Sequence, residues 1–338
     1  MAKDASDNIG SGEDRLIARF FRPLATDPGA FALTDDAAIL APPAGCDVVL
    51  KADAIIGGVH FLDDDPPELV AKKALRVNLS DLAAKGARPL GFLLSLALPK
   101  TIGEDWLAAF ARGLKEDAEH YACPLYGGDT DRTPGPLMIS IAAFGAIPHG
   151  TMVKRSGARP GDRVVVTGTI GDAVLGLALR RDPDAARRLG LDKAMSEHLI
   201  GRYRLPQPRN TVAEIMRRHA SASMDVSDGL AGDLAKLSRV SGVDAVIDAS
   251  KVPLSDAART ALAHDPALRE GLLSGGDDYE IVASVPPDHV APLIAEAAAA
   301  GVPVTGIGRI GAGAGSARFL DADGRPLRFA RAAFSHFD

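Results

Sequence analysis

The acidic residues of this chain that could do chemistry fall into a few tight groups: Asp35-Asp36, Asp53, Asp81, Asp129, Asp225 with Asp228, and Asp277-Asp278. Most lie beside glycine or at the ends of apolar runs, where side chains from separate segments can be brought together. Two carboxylates about 4 Å apart repel by roughly 4 kcal/mol at an effective dielectric of about 20, so a converging set needs protonation or a bound cation. Oxygen ligands without a neighbouring His or Cys select hard ions, which makes Mg²⁺ the natural candidate. Such an ion keeps several waters and commonly holds substrate phosphates as well. Taken singly, each Asp is equally well explained by a helix N-cap or an Asx turn.

Asn78, Ser80 and Asp81 make a sharper case, because they fall inside the longest predicted helix, Glu68 to Lys85. All three compete for backbone hydrogen bonds and are poor interior helix formers. Asn78 and Asp81 stand three apart and share a helix face. A local rule broken inside a regular helix often marks a site; a solvated face is the plain alternative. His60 follows Asp53 in Gly57-Gly58-Val59-His60-Phe61, and Arg155 lies in a basic segment suited to phosphate oxygens. A structural His and a solvated Arg are the bland readings of these two. Several motifs are missing: there is no GxxxxGK[ST] and no HRD, and the eight histidines lack metal-ligand spacing. Gly306-Ile307-Gly308-Arg309-Ile310-Gly311 matches GxGxxG, but the small, glycine-broken stretch that follows offers no helix to receive a pyrophosphate.

The elements that must position these residues read as alternating strands and helices. Strands are predicted near Val48–Asp53, Leu90–Leu98, Cys123–Tyr126 and Leu137–Ala143. A second helix opens from a capping box at Thr101-Ile102-Gly103-Glu104 and turns Trp106, Leu107, Phe110 and Leu114 inward. Pro148 to Asp162 is rich in Pro and Gly, and a junction there divides the chain into domains 1–150 and 151–338. Beyond it come a strand at Arg163–Thr167, helices at Asp172–Arg180 and Asn210–His219, and the segment Asp225–Ser238. A strand at Val243–Asp248, a helix at Pro287–Ala300 and small terminal strands complete the pattern. The class is α/β or α+β in two domains, with strand order open. Asn78-Leu79-Ser80-Asp81 and then Gly127-Gly128-Asp129 are echoed by Asp225-Val226-Ser227-Asp228 and then Gly275-Gly276-Asp277, at separations of 48 and 49 residues. Either both halves present equivalent acidic turns to a shared cleft, or the echo is chance in a chain rich in Asp and Gly.

Composition narrows the classes of function. A length of 338 residues fits two domains of about 150 residues each. With 46% hydrophobic and 24% charged residues, the chain has a soluble, globular profile. A net charge of −6 and only 5% aromatic residues argue against a nucleic-acid partner. The longest apolar stretch, near Gly91–Leu98, is too short to cross a bilayer, and the polar N-terminus lacks a signal-peptide core. Cys46 and Cys123 form no CxxC and suit a reducing cytoplasm without disulfides. A cytoplasmic enzyme with no nucleic-acid or membrane partner is expected.

In series, the motifs resemble those of the bacterial thiamine-monophosphate kinases, a family in the superfamily of aminoimidazole-ribonucleotide synthetase and selenophosphate synthetase. The resemblance rests on Asp35-Asp36-Ala37-Ala38, Asp53 with Gly58-Val59-His60-Phe61, and Asn78 to Ala84. It continues through Gly127-Gly128-Asp129-Thr130, Arg155-Ser156-Gly157, Asp225 to Leu230 and Ser274 to Glu280, in family order over nearly the whole chain. It implies two α/β domains like those of aminoimidazole-ribonucleotide synthetase, flanking a shared cleft, with a metal- and ATP-binding N-terminal domain. It also implies a homodimer, and direct transfer of a phosphoryl group from ATP to thiamine monophosphate with Mg²⁺ and no phosphoenzyme. The absence of an obvious nucleophile agrees with that, and no side chain is singled out as catalytic. By the same resemblance Asp36, Asp53, Asp81, Asp129, Asp225 and Asp228 hold Mg²⁺, and Gly128, Asp129, Arg155 and Ser227 contact ATP. His60, Asp277 and Phe334 contact thiamine monophosphate.

The chain departs from the family at three places. Lys51-Ala52 replaces two hydroxyl residues before Asp53, which suggests that the Lys51 ammonium stands in for a cation. Ala32 and Thr34 replace glycines before Asp35, and Gly57 replaces a Glu. Among alternatives, selenophosphate synthetase is disfavoured because no Cys precedes Cys46, and aminoimidazole-ribonucleotide synthetase because of the Gly-Val-His-Phe segment. A non-catalytic nucleotide-binding relative finds support only in Lys51-Ala52.

Overall fold

The computed structural model describes residues 12–331. The chain divides into two compact units, Met1–Asn78 with Pro89–Ala146 and Leu79–Arg88 with Ile147–Asp338. The architecture is a mixture of helices and sheets in both, as the alternating pattern requires.

The first unit begins with α1 (Gly12–Leu16), which runs into a π-helical turn, and continues with β1 (Cys46–Ile56), α2 (Pro67–Ala84), whose residues from Leu79 onward belong to the second unit, and β2 (Arg88–Leu98). It is completed by α3 (Glu104–His120), β3 (Leu125–Arg132) and β4 (Met138–Pro148). The four strands lie in the order β1-β4-β2-β3, with β2 and β3 parallel and Leu94 opposite Gly128. The period-two alternation of β-strands sets the two faces apart. Phe92, Leu94, Leu96 and Leu98 are buried, whereas Leu93 on the same strand is exposed. Val48 and Met138 join Leu93 on the open face, with Leu50 the most exposed at 72%. In the unit's helices, Leu75 of α2 and Phe110 and Leu114 of α3 are wholly buried, and Arg76 grips Asp117 through two hydrogen bonds, at 2.5 and 2.9 Å. Trp106 stacks on Phe110 with centroids 5.1 Å apart. The capping box expected at Thr101 does not form. Residues 99–102 close a turn through Ile102 N–H to the Pro99 carbonyl, so the helix starts later, with Gly103 as its N-cap and Glu104 paired to Arg19.

The second unit holds a six-stranded sheet made of β5 (Arg163–Thr167), β6 (Ala222–Val226), β7 (Val243–Asp248), β8 (Glu280–Val285), β9 (Val304–Ala312) and β10 (Ala317–Leu320). The order is β10-β7-β9-β5-β8-β6, antiparallel except for the β7–β10 pair. Around it lie α4 (Asp172–Arg181), α5 (Ala185–Arg188), α6 (Lys193–Arg204), α7 (Ala213–His219), α8 (Leu230–Ser241), α9 (Asp256–His264), α10 (Leu268–Ser274) and α11 (Pro287–Ala299). The central strands are buried on both sides. Val164, Val166 and Val282 pack with Leu230, Leu234 and Leu237 of α8, while Val165, Ile281 and Ala283 pack with Met216 of α7 and Leu293 of α11. Each of the Val, Leu, Ile and Met side chains among them contributes about 1.5–3 kcal/mol when withdrawn from water. The GxGxxG sequence lies wholly within β9, so it forms no phosphate loop. Among the described residues no helix is long and apolar enough to cross a membrane. Both cysteines are free, and burial pushes the Cys123 thiol up to about 12.

Candidate active site

In the first unit, Asp53 sits half-buried on β1 and is approached from two sides. Its backbone N–H donates to the Asn78 side-chain oxygen at 2.9 Å, and Asn78 donates in turn to the Ala74 carbonyl at 3.0 Å. The awkward mid-helix Asn therefore ties α2 to β1, which explains its presence within a helix. Lys51, two residues before Asp53 on the same strand, lies 3.0 Å from one of its carboxylate oxygens. His60 closes the following turn by accepting the Ile56 N–H on Nδ1 at 3.0 Å, which leaves Nε2 as the protonated, donating nitrogen of the neutral ring. The buried Lys73 donates to the His60 carbonyl at 2.8 Å and holds that turn down.

Gly128 and Asp129 lie on β3, both exposed, with Asp129 in register with Ser95. A Cβ at position 128 would come within 1.7 Å of the Leu94 carbonyl oxygen, so only glycine permits this strand spacing. Beyond Asp129, residues Thr130 to Arg132 line a cavity of about 610 Å³ together with Arg15, Arg19 and Ile102. Asp36 is exposed after a turn in which Phe31, Ala32 and Leu33 all have positive φ, at 48°, 52° and 55°. Of the two positions where glycine was expected, Ala32 takes the left-handed conformation that favours glycine, whereas Thr34 has a φ of −110° that any residue adopts.

In the second unit, Asp81 is 9% exposed near the end of α2, and Ser80 beside it is wholly buried with no hydrogen-bond partner for its hydroxyl among the described residues. Asp225 is buried near the end of β6, and the chain then turns through Ser227, Asp228 and Gly229 into α8. Asp233, one turn into that helix, reaches back so that one carboxylate oxygen accepts the N–H groups of Ser227 and Asp228, at 3.0 and 2.9 Å. Its other oxygen accepts from Lys236 at 2.9 Å, and Lys236 also pairs with Asp228. Burial pushes the Asp233 carboxyl up despite Lys236. Burial likewise works against the Lys236 charge, but the two carboxylates hold that ammonium above the ordinary lysine value. Asp233 and Lys236 escaped the sequence reading. The signal was an acid one turn past Asp-Gly, with a Lys three residues on.

The Gly275–Tyr279 loop is stitched to this turn by main-chain bonds. Asp277 N–H donates to the Ser227 carbonyl and Tyr279 N–H to the Val226 carbonyl, both at 2.8 Å. Asp277 and Tyr279 have φ of 73° and 50°, and a Cβ on Gly276 would meet the Ser227 oxygen at 2.5 Å. Arg155 is exposed on a short 3-10 turn whose backbone is fixed by the Ser241 hydroxyl donating to its carbonyl at 2.8 Å. The two halves do not present equivalent acidic turns: Asp81 is helical and Asp129 lies in a strand, whereas Asp228 and Asp277 lie in turns. Helix and turn place a carboxylate differently, so the matched spacings reflect no shared local structure. Phe334 lies outside the described residues.

Two family models cover most of the chain. The N-terminal domain of AIR synthase related protein matches residues 34–147, and the C-terminal domain matches residues 159–321. Thiamine-monophosphate kinase of Caulobacter vibrioides is 44% identical over 92% of this chain and 88% of its own length. The Salmonella typhimurium enzyme is 40% identical over 97% and 99%. The chain belongs to the thiamine-monophosphate kinase family. The solved thiamine-monophosphate kinase of Stenotrophomonas maltophilia superposes with a TM-score of 0.81 at 39% identity, over 93% of this chain and 96% of that one. AaThiL complexed with AMPPCP and TMP gives 0.75 at 32% identity, over 90% and 91%. The hydrogenase maturation protein HypE in complex with ATP, at 20% identity and a TM-score of 0.75, shares the fold.

Within this chain, Asp278 carries a pH signature. Both its oxygens accept the Gly171 N–H, at 3.0 and 2.9 Å, and burial pushes its carboxyl well above the usual carboxylate range. A carboxyl raised on folding adds stability below its unfolded pKa, about 3.9, and loses that contribution as pH rises through the folded value. Thermal melts from about pH 8 down to about pH 5 should show the native chain gaining Tm relative to Asp278→Asn. Parallel curves for the two proteins would contradict this assignment.

Proposed function

We propose that the chain transfers the γ-phosphoryl group of ATP to thiamine monophosphate, giving thiamine diphosphate and ADP. The observation that carries this reading is the near full-length likeness to thiamine-monophosphate kinases, one of them solved with AMPPCP and TMP, with the acidic motifs of the chain intact. A phosphate oxygen of thiamine monophosphate attacks the γ-phosphorus in line as the bond to the β-phosphate oxygen breaks and ADP leaves. No protein nucleophile is required, and positioning together with charge stabilisation supplies the catalysis.

The donors available to a cation are carboxylate oxygens, which fit Mg²⁺ rather than a softer ion. Among the described residues no group of three or more His, Cys, Asp or Glu side chains could hold a metal ion. Ions held jointly with nucleotide phosphates suit such a donor set, because Mg²⁺ takes few protein ligands and retains the rest as water and phosphate. Asp36, Asp53 and Asp129 would be the Mg²⁺ ligands supplied by the first unit, and Asp81, Asp225 and Asp228 those supplied by the second; such ions would neutralise charge on the transferring phosphoryl group. Gly128, Asp129, Arg155 and Ser227 receive ATP. His60, through its donating Nε2, and Asp277 receive thiamine monophosphate, together with Phe334. Purified protein with MgATP should release ADP and form thiamine diphosphate only when thiamine monophosphate is added. ATP binding without turnover on that acceptor would overturn the reading.

Lys51 already offers Asp53 a positive charge at 3.0 Å. In a manganese titration followed by electron paramagnetic resonance with a non-hydrolysable ATP analogue, Lys51→Ser should bind about one ion more per chain than the native protein. An unchanged count would remove the idea that the ammonium substitutes for an ion.

The open apolar face of the first sheet supports a homodimer. Val48, Leu50, Leu93 and Met138 are too exposed and too apolar for a strand face left in water. Light scattering should find the native protein dimeric and Leu50→Arg monomeric; a dimer that survives the substitution would locate the interface elsewhere. A cytoplasmic setting completes the reading, in keeping with the two free cysteines.

A further inference from the structure

Beneath the Gly275–Tyr279 loop lies a set of buried charges that phosphoryl transfer does not itself require. Glu280 is wholly buried, Asp278 is 1% exposed and Arg202 is 6% exposed. Arg202 Nη2 donates to a Glu280 carboxylate oxygen at 2.8 Å and to the Asp278 carbonyl at 3.2 Å. The other Glu280 oxygen accepts from Arg209 Nε and from the Thr167 hydroxyl, both at 2.7 Å. Asp278 holds the Gly171 N–H at the start of α4, as described above.

Withdrawing ionisable groups from water is costly, and well-packed apolar residues of the same volume commonly match or exceed the stability of such a set. Stability alone therefore gives a weak reason for these residues. What they touch is more telling. They grip positions 278 and 280, the inward neighbours of Asp277 and Tyr279, and those two are non-glycine residues in the left-handed region. Such residues are strained and persist only where the surroundings over-determine them. The loop is pinned from below by side chains and from the side by the main-chain bonds to Val226 and Ser227.

We propose that Arg202 and Asp278 are positioning residues that hold Asp277 in the conformation in which it receives thiamine monophosphate. This inference rests on the reading of Asp277 as a contact to that acceptor. Neither residue touches the acceptor; each acts through the backbone of the loop.

The test compares Asp277→Asn, Asp278→Ala, Asp278→Asn, Arg202→Met and Arg202→Lys by steady-state kinetics, by calorimetric titration with thiamine monophosphate alone, and by thermal melting. Asp278→Ala and Arg202→Met should raise KM for thiamine monophosphate about tenfold while leaving KM for ATP within about twofold. Asp278→Asn, which keeps an oxygen for the Gly171 N–H, should restore acceptor binding to within about threefold of the native value. A merely structural role would lower Tm without separating the two KM values, and that result overturns the proposal. Should the truncated variants fail to fold, Arg202→Lys decides: it loses the Nη2 group that bridges the Asp278 carbonyl and Glu280, and an unchanged acceptor affinity rejects the inference. If Asp277→Asn weakens acceptor binding while the folded Asp278 and Arg202 variants do not, the positioning role alone is wrong. If Asp277→Asn itself has no effect, the acceptor reading of Asp277 is wrong and the proposal falls with it.

Discussion

Asp81→Asn should reduce thiamine diphosphate formation by about 10²–10³-fold while leaving the protein folded, as expected when one charge-stabilising group is removed from a phosphoryl-transfer site. The substitution is nearly isosteric, and Asp81, at 9% exposure, sits in the last turns of α2 where a lost negative charge does not disturb the helix. The loss should appear in kcat at saturating MgATP, and raised Mg²⁺ should recover part of it if the carboxylate acts by binding the ion. Product analysis with a range of Mg²⁺ concentrations is the measurement. Near-native turnover would remove Asp81 from the site and leave its place in the helix unexplained.

The second large effect is on stability. Gly128→Ala places a methyl group 1.7 Å from the Leu94 carbonyl oxygen on the neighbouring strand, and backbone on both sides leaves little room to yield. Forcing β2 and β3 apart should destabilise the first unit by about 3 kcal/mol, lowering Tm by roughly 6–12 °C. Because Asp129 follows directly, ATP affinity should fall as well, and a titration with ATP at low temperature separates the two effects. A variant that melts like the native protein would mean that the strand pair tolerates a wider spacing.

Much of the scaffold was legible because its patterns are local. Arg163–Thr167 and Val243–Asp248 appear as strands over the expected residues, and α2 begins one residue before the expected start. β8 was not anticipated: Glu280–Val285 is a short apolar run buried on both faces, with none of the alternation that marks a half-buried strand. Helices α6, α9 and α10 were missed as well; α9 and α10 are only nine and seven residues long, too short to show a firm apolar period. The capping box misled for a different reason, since the Pro99–Ile102 turn captures Thr101 before the helix begins.

For the site, residue types and spacings identified the acids, but the groups that support them needed coordinates. Asn78 was flagged for its poor helix propensity, and its partner, the Asp53 N–H, lies 25 residues away. Asp233 and Lys236 look in sequence like an ordinary solvated helix pair. Only the fold turns the Asp233 carboxylate back onto two N–H groups and buries it. Arg202 and Glu280 stand 78 residues apart, beyond any local pattern.

The bonds that join the Asp277 loop to the Ser227 turn run from main chain to main chain, and glycines 229 and 276 make the close approach. The side chains that brace this frame, Arg202 and Asp278, are buried beneath it and are distinct from those it turns outward. Residues facing outward from the loop can be exchanged, in evolution or by design, without redrawing the path of the backbone. Acceptor preference and architecture are thus separately mutable.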